Sequence, residues 1–371
     1  MAETTLASAS SKQKWLSNYF GEYVRESGFG PYMGKSPMSI INVKYELQSE
    51  SGKTINIPLI TRLKNTGVTG SGILQGNEES LGNFNAAVTV DWRRNAVKLP
   101  KSTTYQTEID MWGAAKDMLK MWEAEQLRND IIQAMLSVEA GVSLANSNTT
   151  ARNAWSAANV DRVLYGNSVG NYSATFATGL GACDTTNDKL TVATASLAKR
   201  RAKQADPHIR PFKTASGREF YVMFCGSRAF RDLKADTTMI NANRDARARE
   251  GNGMDDNPLF QDGDLIYDGI IFREIPEIDD IAALSGMGLN GAGASSADVR
   301  PSFLCGAQSV AIAWGQEPQF QTDLTDDYKF RPGVAIEELV GVRKLFYASG
   351  AAGVTVQHGM VTLFVAAAAD S

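Results

Sequence analysis

The sequence has few of the residues from which metal sites and disulfides are built. Among 371 residues there are three cysteines and two histidines. The cysteines, Cys183, Cys225 and Cys305, are odd in number and far apart, which argues against a disulfide framework and suits a reducing compartment. Neither His208 nor His358 stands in an HExxH motif, and no CxxC pair occurs. The sequence therefore indicates no metal site and no cofactor.

A large excess of charge and long apolar runs are also missing. The net charge is −4, so no basic footprint indicates nucleic-acid binding. No stretch approaches the roughly 18 apolar residues of a membrane-spanning helix, and the first residues lack the apolar core of a secretory signal. Hydrophobic residues make up 43% of the chain and charged residues 21%. These values predict an ordinary globular protein, long enough for two or three domains.

Motifs of catalysis are almost absent. Neither GxxxxGK[ST] nor GxGxxG occurs, so no phosphate-binding loop is indicated. Residues 166–170, GNSVG, match the GxSxG pattern of hydrolases, which requires a buried strand before Ser168 and a helix after it. The apolar run before Ser168 is short, and the segment after it lacks a helical pattern. We therefore predict that the protein is not an enzyme, with a serine hydrolase acting through Ser168 as a remote alternative.

What the sequence does contain is an unusually long helical pattern. Residues 105–139 include no proline and one glycine, Gly113, and the pattern is about twice the length of an ordinary globular helix. We expect this segment to be a strut between layers of the structure, although a core helix of an α/β domain would show a similar pattern. Its apolar stripe drifts around the helix axis. The residues predicted to form its core are Trp112, Leu119, Trp122, Leu127 and Ile131.

Residues 38–100 show the alternation of strands around a glycine-rich insertion. The segments 43–47 and 55–59 alternate and are predicted to form a hairpin, and residues 88–92 alternate again. The region has too few large apolar residues for a core of its own, and a two-stranded ribbon is marginally stable in water. We therefore expect it to lie against a neighbouring subunit. The glycines expected to permit its bend are Gly67, Gly70, Gly72 and Gly76.

The second half of the sequence is typical of a mixed α/β domain. The predicted elements are a helix over 190–204, a buried strand over 218–226, a helix capped by Ser227, a hairpin turning at Asp268 and Gly269, a strand followed by a small-residue helix over 302–315, and strands within 327–346 and 353–364. Residues 1–37 are predicted to be an N-terminal arm whose apolar face includes Trp15 and Tyr19.

Charge is unevenly distributed in this half. Basic residues outnumber acidic ones from Lys199 to Arg249, and acidic residues predominate from Asp255 to Asp280. Three interpretations stay open: two solvated faces, edges of opposite charge that meet between neighbouring copies, or a basic patch that faces DNA.

Several segments carry a resemblance to a known family. Residues 74–97, LQGNEESLGNFNAAVTVDWRRNAV, resemble the glycine-rich tip and returning strand of the major capsid proteins of N4-like tailed phages. The matching positions are Gly76, Glu78, Glu79, Leu81, Arg94, Ala96 and Val97. Four further segments resemble the family in order and spacing: RVLYG, FYVMFCGSRAFRDLKAD, NPLFQDGDLIYDGIIFREIPEI and DYKFRPGVAIEELVGVRKLF. The resemblance covers roughly residues 35–350.

The resemblance implies an α+β, HK97-like capsid fold. Its expected parts are an N-terminal arm (1–37), an extended β-ribbon loop (38–102), a peripheral domain with a long spine helix (103–145), an axial α/β domain (146–325) and return strands (326–371). Assembly contacts are expected at Trp15, Tyr19, Gly67, Gly70, Gly72, Gly76, Glu78, Glu79 and Arg94.

The implied function is structural. Copies would assemble into pentamers and hexamers of an icosahedral phage head that encloses double-stranded DNA, without sequence specificity, membrane or cofactor. Portal and scaffold or decoration proteins are the other expected partners. The expected location is the virion, after assembly in the host cytoplasm. An encapsulin-like cellular compartment, which shares the fold, is the alternative, and Lys64 and Asn65 lie near a loop that some relatives cross-link.

Overall fold

The computed structural model describes residues 28–48, 52–60, 62–106, 110–139, 141–213, 217–242, 260–261, 264–349 and 354–369. The predictions for the arm, including Trp15 and Tyr19, lie outside the described residues. The chain forms two compact units, each built from separate stretches of sequence. Of the described residues, the first unit takes those within 92–127 and 316–339, and the second takes those within 28–91, 128–315 and 340–371.

Seven α-helices lie in the described ranges. They are α1 (Lys101–Tyr105), α2 (Met111–Met135), α3 (Thr149–Ala158), α4 (Phe176–Gly181), α5 (Val192–Gln204), α6 (Ser227–Lys234) and α7 (Glu277–Ala282). None of these helices is both long and apolar enough to cross a bilayer.

The strands of the described ranges, in chain order, are β1 (Met33–Gly34), β2 (Ile41–Lys44), β3 (Thr54–Ile60), β4 (Asn83–Thr89), β5 (Asp91–Lys98), β6 (Ser137–Glu139), β7 (Val142–Ser143), β8 (Val163–Tyr165), β9 (Phe212–Lys213), β10 (Glu219–Cys225), β11 (Phe260–Gln261), β12 (Asp264–Tyr267), β13 (Ile270–Glu274), β14 (Val299–Cys305), β15 (Val310–Asp323), β16 (Gly333–Lys344), β17 (Phe346–Ser349), β18 (Val354–Gln357) and β19 (Met360–Ala366). A five-stranded sheet has the order β1-β2-β15-β16-β5.

The second unit is built on an eight-stranded sheet with the order β11-β12-β13-β10-β14-β19-β8, to which β9 adds by pairing with β10. The predicted buried strand is confirmed as β10. Its run of apolar residues is continuous because both faces are covered. Met223 and Cys225 pack with the alanines of α5 on one face, while Phe224 meets the rings of Phe29 and Tyr32 on the other.

The turn predicted at Asp268 and Gly269 is confirmed. Their φ angles of 49° and 65° are both positive, as a two-residue hairpin with the twist of its strands requires. The helix after β10 is also confirmed, but the predicted Ser227 cap is wrong, because Gly226 is the N-cap residue. The Ser227 hydroxyl donates to Glu274 at 2.6 Å, and the Asp279 carboxylate accepts the Arg228 N–H at 2.9 Å instead.

The first unit contains a small apolar core around the start of α2. Leu119 is buried with Leu99, Val334 and Ile336, and the rings of Trp112 and Trp122 are half-buried against them. The Asp110 carboxylate accepts the N–H groups of Trp112 and Gly113 at 3.1 Å each, which caps the start of the helix. Of the other residues predicted for the helix core, Leu127 is half-buried and Ile131 is fully buried.

The long helix ends earlier than predicted. α2 has 25 residues and ends at Met135, so the predicted continuation to Glu139 is wrong. Ser137–Glu139 form β6, which pairs with β7 around Gly141, whose φ is 84°. The Ser137 hydroxyl donates to the Ala134 carbonyl at 2.7 Å and satisfies one of the acceptors left open where the helix stops.

Two predicted strand arrangements are wrong. β2 pairs in parallel with β1 and β15, whereas β3 pairs with β4 from Thr54 opposite Thr89 to Ile60 opposite Asn83. The helix predicted within 302–315 is instead the start of β15, reached through a turn at Gln308 with φ 60°. Alternation identified a strand in 43–47 and 55–59 but not its partner. Small residues in 310–315 are buried against neighbouring strands.

Candidate functional site

The candidate site is the ribbon, which consists of β3, β4 and the loop 62–82 between them. Along β3 exposed and half-buried residues alternate, as in a strand with one covered face. The base of the ribbon packs on the chain's own second unit. Leu59 and Phe84 line a cavity of about 170 Å³ together with Tyr347 and Val356, and the Ala87 carbonyl accepts from the Arg343 guanidinium at 2.5 Å.

The loop at the ribbon tip is closed by Glu79. Its two carboxylate oxygens accept the Lys64 N–H at 2.7 and 2.9 Å, and one of them also accepts the Asn65 N–H at 2.7 Å. The hydrogen bond from Lys64 is the main reason why the pKa of Glu79 lies below its usual value, and that from Asn65 is the second. Glu78 has a smaller role, because its carboxylate accepts only the Gly76 N–H at 2.7 Å. Glu79 therefore fixes the two sides of the loop at its neck.

The four glycines named for the bend serve it in two ways. Gly67, Gly70 and Gly76 have φ angles of 74°, 66° and 88°, a conformation that side chains rarely adopt. Gly72 has no positive φ, but a Cβ there would collide with the Val68 side chain. The tip thus has a defined shape despite its composition.

Apolar side chains project from this tip into solvent. Ile73 is 74% exposed, and Leu63, Leu74 and Leu81 are each about 60% exposed. We call these four residues, with Ile60 at the end of β3, the ribbon-tip surface. A cluster of large exposed apolar side chains on a shaped loop is typical of a surface that another protein covers.

Basic residues at the neck of the loop pair with one carboxylate of the same unit. Lys64 Nζ lies 2.5 Å from Asp206 Oδ2, and an Arg62 guanidinium nitrogen lies 3.8 Å from Asp206 Oδ1. The Lys64 hydrogen bond is the main reason why the pKa of Asp206 is lowered. Asp206 therefore links the loop to the end of the segment that follows α5.

The remaining predicted residues lie elsewhere. Arg94 is exposed on β5 in the first unit. Ser168 follows the short buried strand β8, and its hydroxyl accepts the Gly170 N–H at 3.1 Å at the start of a 3-10 turn. In the described contacts both histidines are engaged elsewhere, since His208 bonds to the Ala205 carbonyl at 2.7 Å and His358 packs against Tyr347.

The uneven charge of the second half is partly balanced within the chain. Lys199 Nζ lies 3.0 Å from Asp268, so a residue of the basic stretch pairs with one of the acidic stretch. Among the residues that the structure describes, no group of three or more His, Cys, Asp or Glu side chains could hold a metal ion.

Sequence reasoning missed a buried charged cluster in the first unit. The Arg93 guanidinium donates to the carboxylate of Glu338, whose side chain is almost fully buried. One signal was available: Val334, Ile336 and Val340 are buried at alternate positions, and Glu338 occupies the same face of β16. Its partner on β5 could not be read from any local pattern.

Comparison with known proteins gives consistent matches along almost the whole chain. A family model described as phage capsid protein matches residues 3–369. The major capsid protein of Pseudomonas phage KPP25 is 27% identical over 390 residues, covering 98% of both chains. The structure resembles the cyanophage Pam1 capsid asymmetric unit with a TM-score of 0.89, at 44% identity and full coverage of both chains. It resembles the capsid of Ralstonia phage GP4 with a TM-score of 0.72 at 20% identity, again over both full chains.

Proposed function

Since the chain belongs to the phage capsid protein family, we propose that copies of it join through their ribbons into the pentamers and hexamers of an icosahedral phage head. The chain is a phage major capsid protein with an α+β, HK97-like fold, and its place is the capsid of the virion. It is a structural protein, not an enzyme. The resemblance read from the sequence is confirmed at this level, and membership of the N4-like group stays a prediction.

The observation that carries the proposal is the ribbon-tip surface. Its side chains are apolar and exposed, yet the loop that presents them is held in shape by Glu79 and by glycines with positive φ. Covering such side chains stabilises association by roughly 25 cal/mol per Å² of apolar area. A second copy of the chain is the partner that a closed shell supplies in abundance, and many weak contacts then add through multivalency.

Other partners belong to the same proposal. The shell would enclose double-stranded DNA, and the net charge of −4 suits a wall that does not hold its contents, because a basic lining binds phosphates with the release of counterions. Assembly in the host cytoplasm, a portal at one vertex and a separate scaffold or decoration protein complete this picture. The matches above are to phage capsid proteins, which does not favour the encapsulin alternative.

The proposal is tested by placing charges on the ribbon-tip surface. We expect the double variant Ile73→Asp, Leu74→Asp to fold like the natural chain and to form no closed shells, because two carboxylates would have to be desolvated in the contact. Folding is followed by circular dichroism, and assembly by sedimentation and negative-stain microscopy of the full-length chain.

The matched control carries the same change at two exposed apolar residues away from the ribbon. Ile240 and Leu284 are 49% and 53% exposed, and the variant Ile240→Asp, Leu284→Asp should assemble. Normal shells from the Ile73, Leu74 variant would overturn the role of the ribbon tip in assembly.

A further inference from the structure

Three charged side chains meet inside the first unit, each from a different element. Arg93 comes from β5, Glu338 from β16 and Glu123 from α2. The Arg93 Nε–H donates to Glu338 Oε1, and the Glu338 side chain is only 2% exposed. The Glu123 carboxyl is hydrogen-bonded to that of Glu338. The cluster therefore connects the long helix to two strands of the sheet through polar contacts.

This geometry requires a proton. An ionised carboxylate only accepts hydrogen bonds, so two carboxyl groups can bond to each other only when one of them is protonated. With that proton the cluster is neutral, because one guanidinium balances one carboxylate. Without it, two buried carboxylates would share a single cation, and like charges at such short range cannot both be accommodated in a poorly solvated site.

The charges that act on Glu123 agree with this account. Burial, with the nearby charge of Glu338 as second cause, raises the pKa of Glu123 to about 7, and Arg93 opposes the shift. The side chain next to Glu338 on β16, Glu337, lies on the opposite face of the strand and accepts hydrogen bonds from Gln316 and Gln321 of β15. The part of β15 that packs near the helix contributes an apolar ring, Phe320.

We propose that Glu123, Glu338 and Arg93 form a proton-dependent latch, in which one shared proton fastens α2 to β5 and β16 and its loss loosens that attachment. The latch belongs to a single chain, so it goes beyond contacts between copies and does not depend on them. It would make the first unit most firmly packed in mildly acidic solution. Above neutral pH the helix and the strands would be held by their apolar contacts alone.

The sign of the effect follows from proton binding. In the unfolded chain Glu123 loses its proton near pH 4.5, whereas in the folded chain it keeps the proton to about pH 7. Between these values the folded state binds more protons, so stability falls as the pH rises. The contribution is complete below about pH 4.5 and is lost as the pH passes through about 7.

The test compares melting temperatures of full-length protein between about pH 5 and pH 8. The variant Glu123→Gln keeps a neutral side chain that can donate to Glu338 at every pH. We expect the natural chain and Glu123→Gln to melt at similar temperatures near pH 5, and the natural chain to melt about 3 to 6 °C lower near pH 8. Glu125→Gln, two residues along the same helix, is the matched control and should follow the natural chain. Parallel curves for the natural chain and Glu123→Gln would overturn the latch.

A spectroscopic measurement covers the case in which the variant fails to fold. Infrared spectra of the natural chain labelled with ¹³C in its glutamate carboxyl groups should show a protonated carboxylic acid near pH 6, where ordinary glutamates are ionised. The band should vanish on titration through about pH 7 to 8. Complete ionisation of the glutamates by about pH 5.5 would contradict the shared proton.

Discussion

At the scale of single residues, Lys344 shows how burial decides the charge of a side chain. Its ammonium nitrogen is sealed in the second unit, 3.0 Å from the Met135 carbonyl and 3.2 Å from Gln357 Oε1. The rings of Phe346 and Trp155 lie 4.8 and 5.3 Å away. Burial lowers the pKa of Lys344 from its usual value of 10.5 to about 7. The amine therefore donates at the last turn of α2 at a high cost in desolvation if it is charged.

This burial predicts a rise of stability with pH above neutrality. Between about pH 7 and 10.5 the unfolded chain binds a proton at Lys344 that the folded chain has released, so the free energy of unfolding increases with pH. We expect Lys344→Met, which fills the same space without an amine, to flatten this rise. Urea unfolding of the full-length chain at about pH 7 and pH 9.5 measures it.

Lys203→Met, at an exposed position of α5, is the control and should leave the rise intact. A Lys344→Met chain with the same gain in stability between the two pH values as the natural protein would show that another group titrates in this window. The rise lies above the window in which Glu123 acts, so the two effects can be measured in one protein.

The residues of the candidate site differ in how far the sequence could predict them. Glycines in the tip were identified because positive φ has few other solutions, and Gly67, Gly70 and Gly76 adopt it. The Ser227 cap was mistaken, because a carboxylate fifty residues further on, Asp279, took its place. Side chains that meet across long sequence separations, such as Lys64 with Asp206, leave no local pattern.

At the scale of elements, periodicity predicted what local sequence controls. The strand β10 and the hairpin at Asp268 were predicted because apolar runs and turn residues act over a few positions. The pairing of β3 with β4 was not, since a loop of about twenty residues separates them and alternation does not name a partner. The parallel pairing of β2 with β15 joins residues 41–44 to 310–313, and no spacing rule reaches that far.

The helix α2 depends most on Leu119 in its first part. Leu119 is 2% exposed in a core that contains few other large aliphatic side chains, so Leu119→Ala should lower the free energy of unfolding by about 2 to 5 kcal/mol. Chemical denaturation of the full-length chain provides the measurement. Lys120→Ala, one residue along on the exposed face, should change stability by no more than about 0.5 kcal/mol. Equal effects of the two substitutions would show that this part of the helix is not held by its core.

At the scale of the whole molecule, the ribbon combines a base that the chain satisfies and a tip that it does not. The base packs on the second unit through Leu59 and Phe84, which corrects the expectation that the entire ribbon needs a neighbour. The tip keeps its shape through Glu79 but leaves the ribbon-tip surface in solvent. Division of labour of this kind lets a subunit fold alone and still present a preorganised contact, which lowers the entropic cost of association.

Asp206 is where the base and the tip can be separated experimentally. Its pairs with Lys64 and Arg62 are largely exposed, so Asp206→Asn should change the free energy of unfolding by about 1 kcal/mol or less. The neck of the loop would nevertheless lose its link to the unit, and a less preorganised tip should assemble more slowly and in lower yield, as measured by light scattering and sedimentation. Asp268→Asn removes a comparable exposed pair, with Lys199, away from the ribbon and should assemble normally. If both variants assembled like the natural chain, the position of the ribbon would have to be set by its strands alone, because no other charged link is cut in either protein.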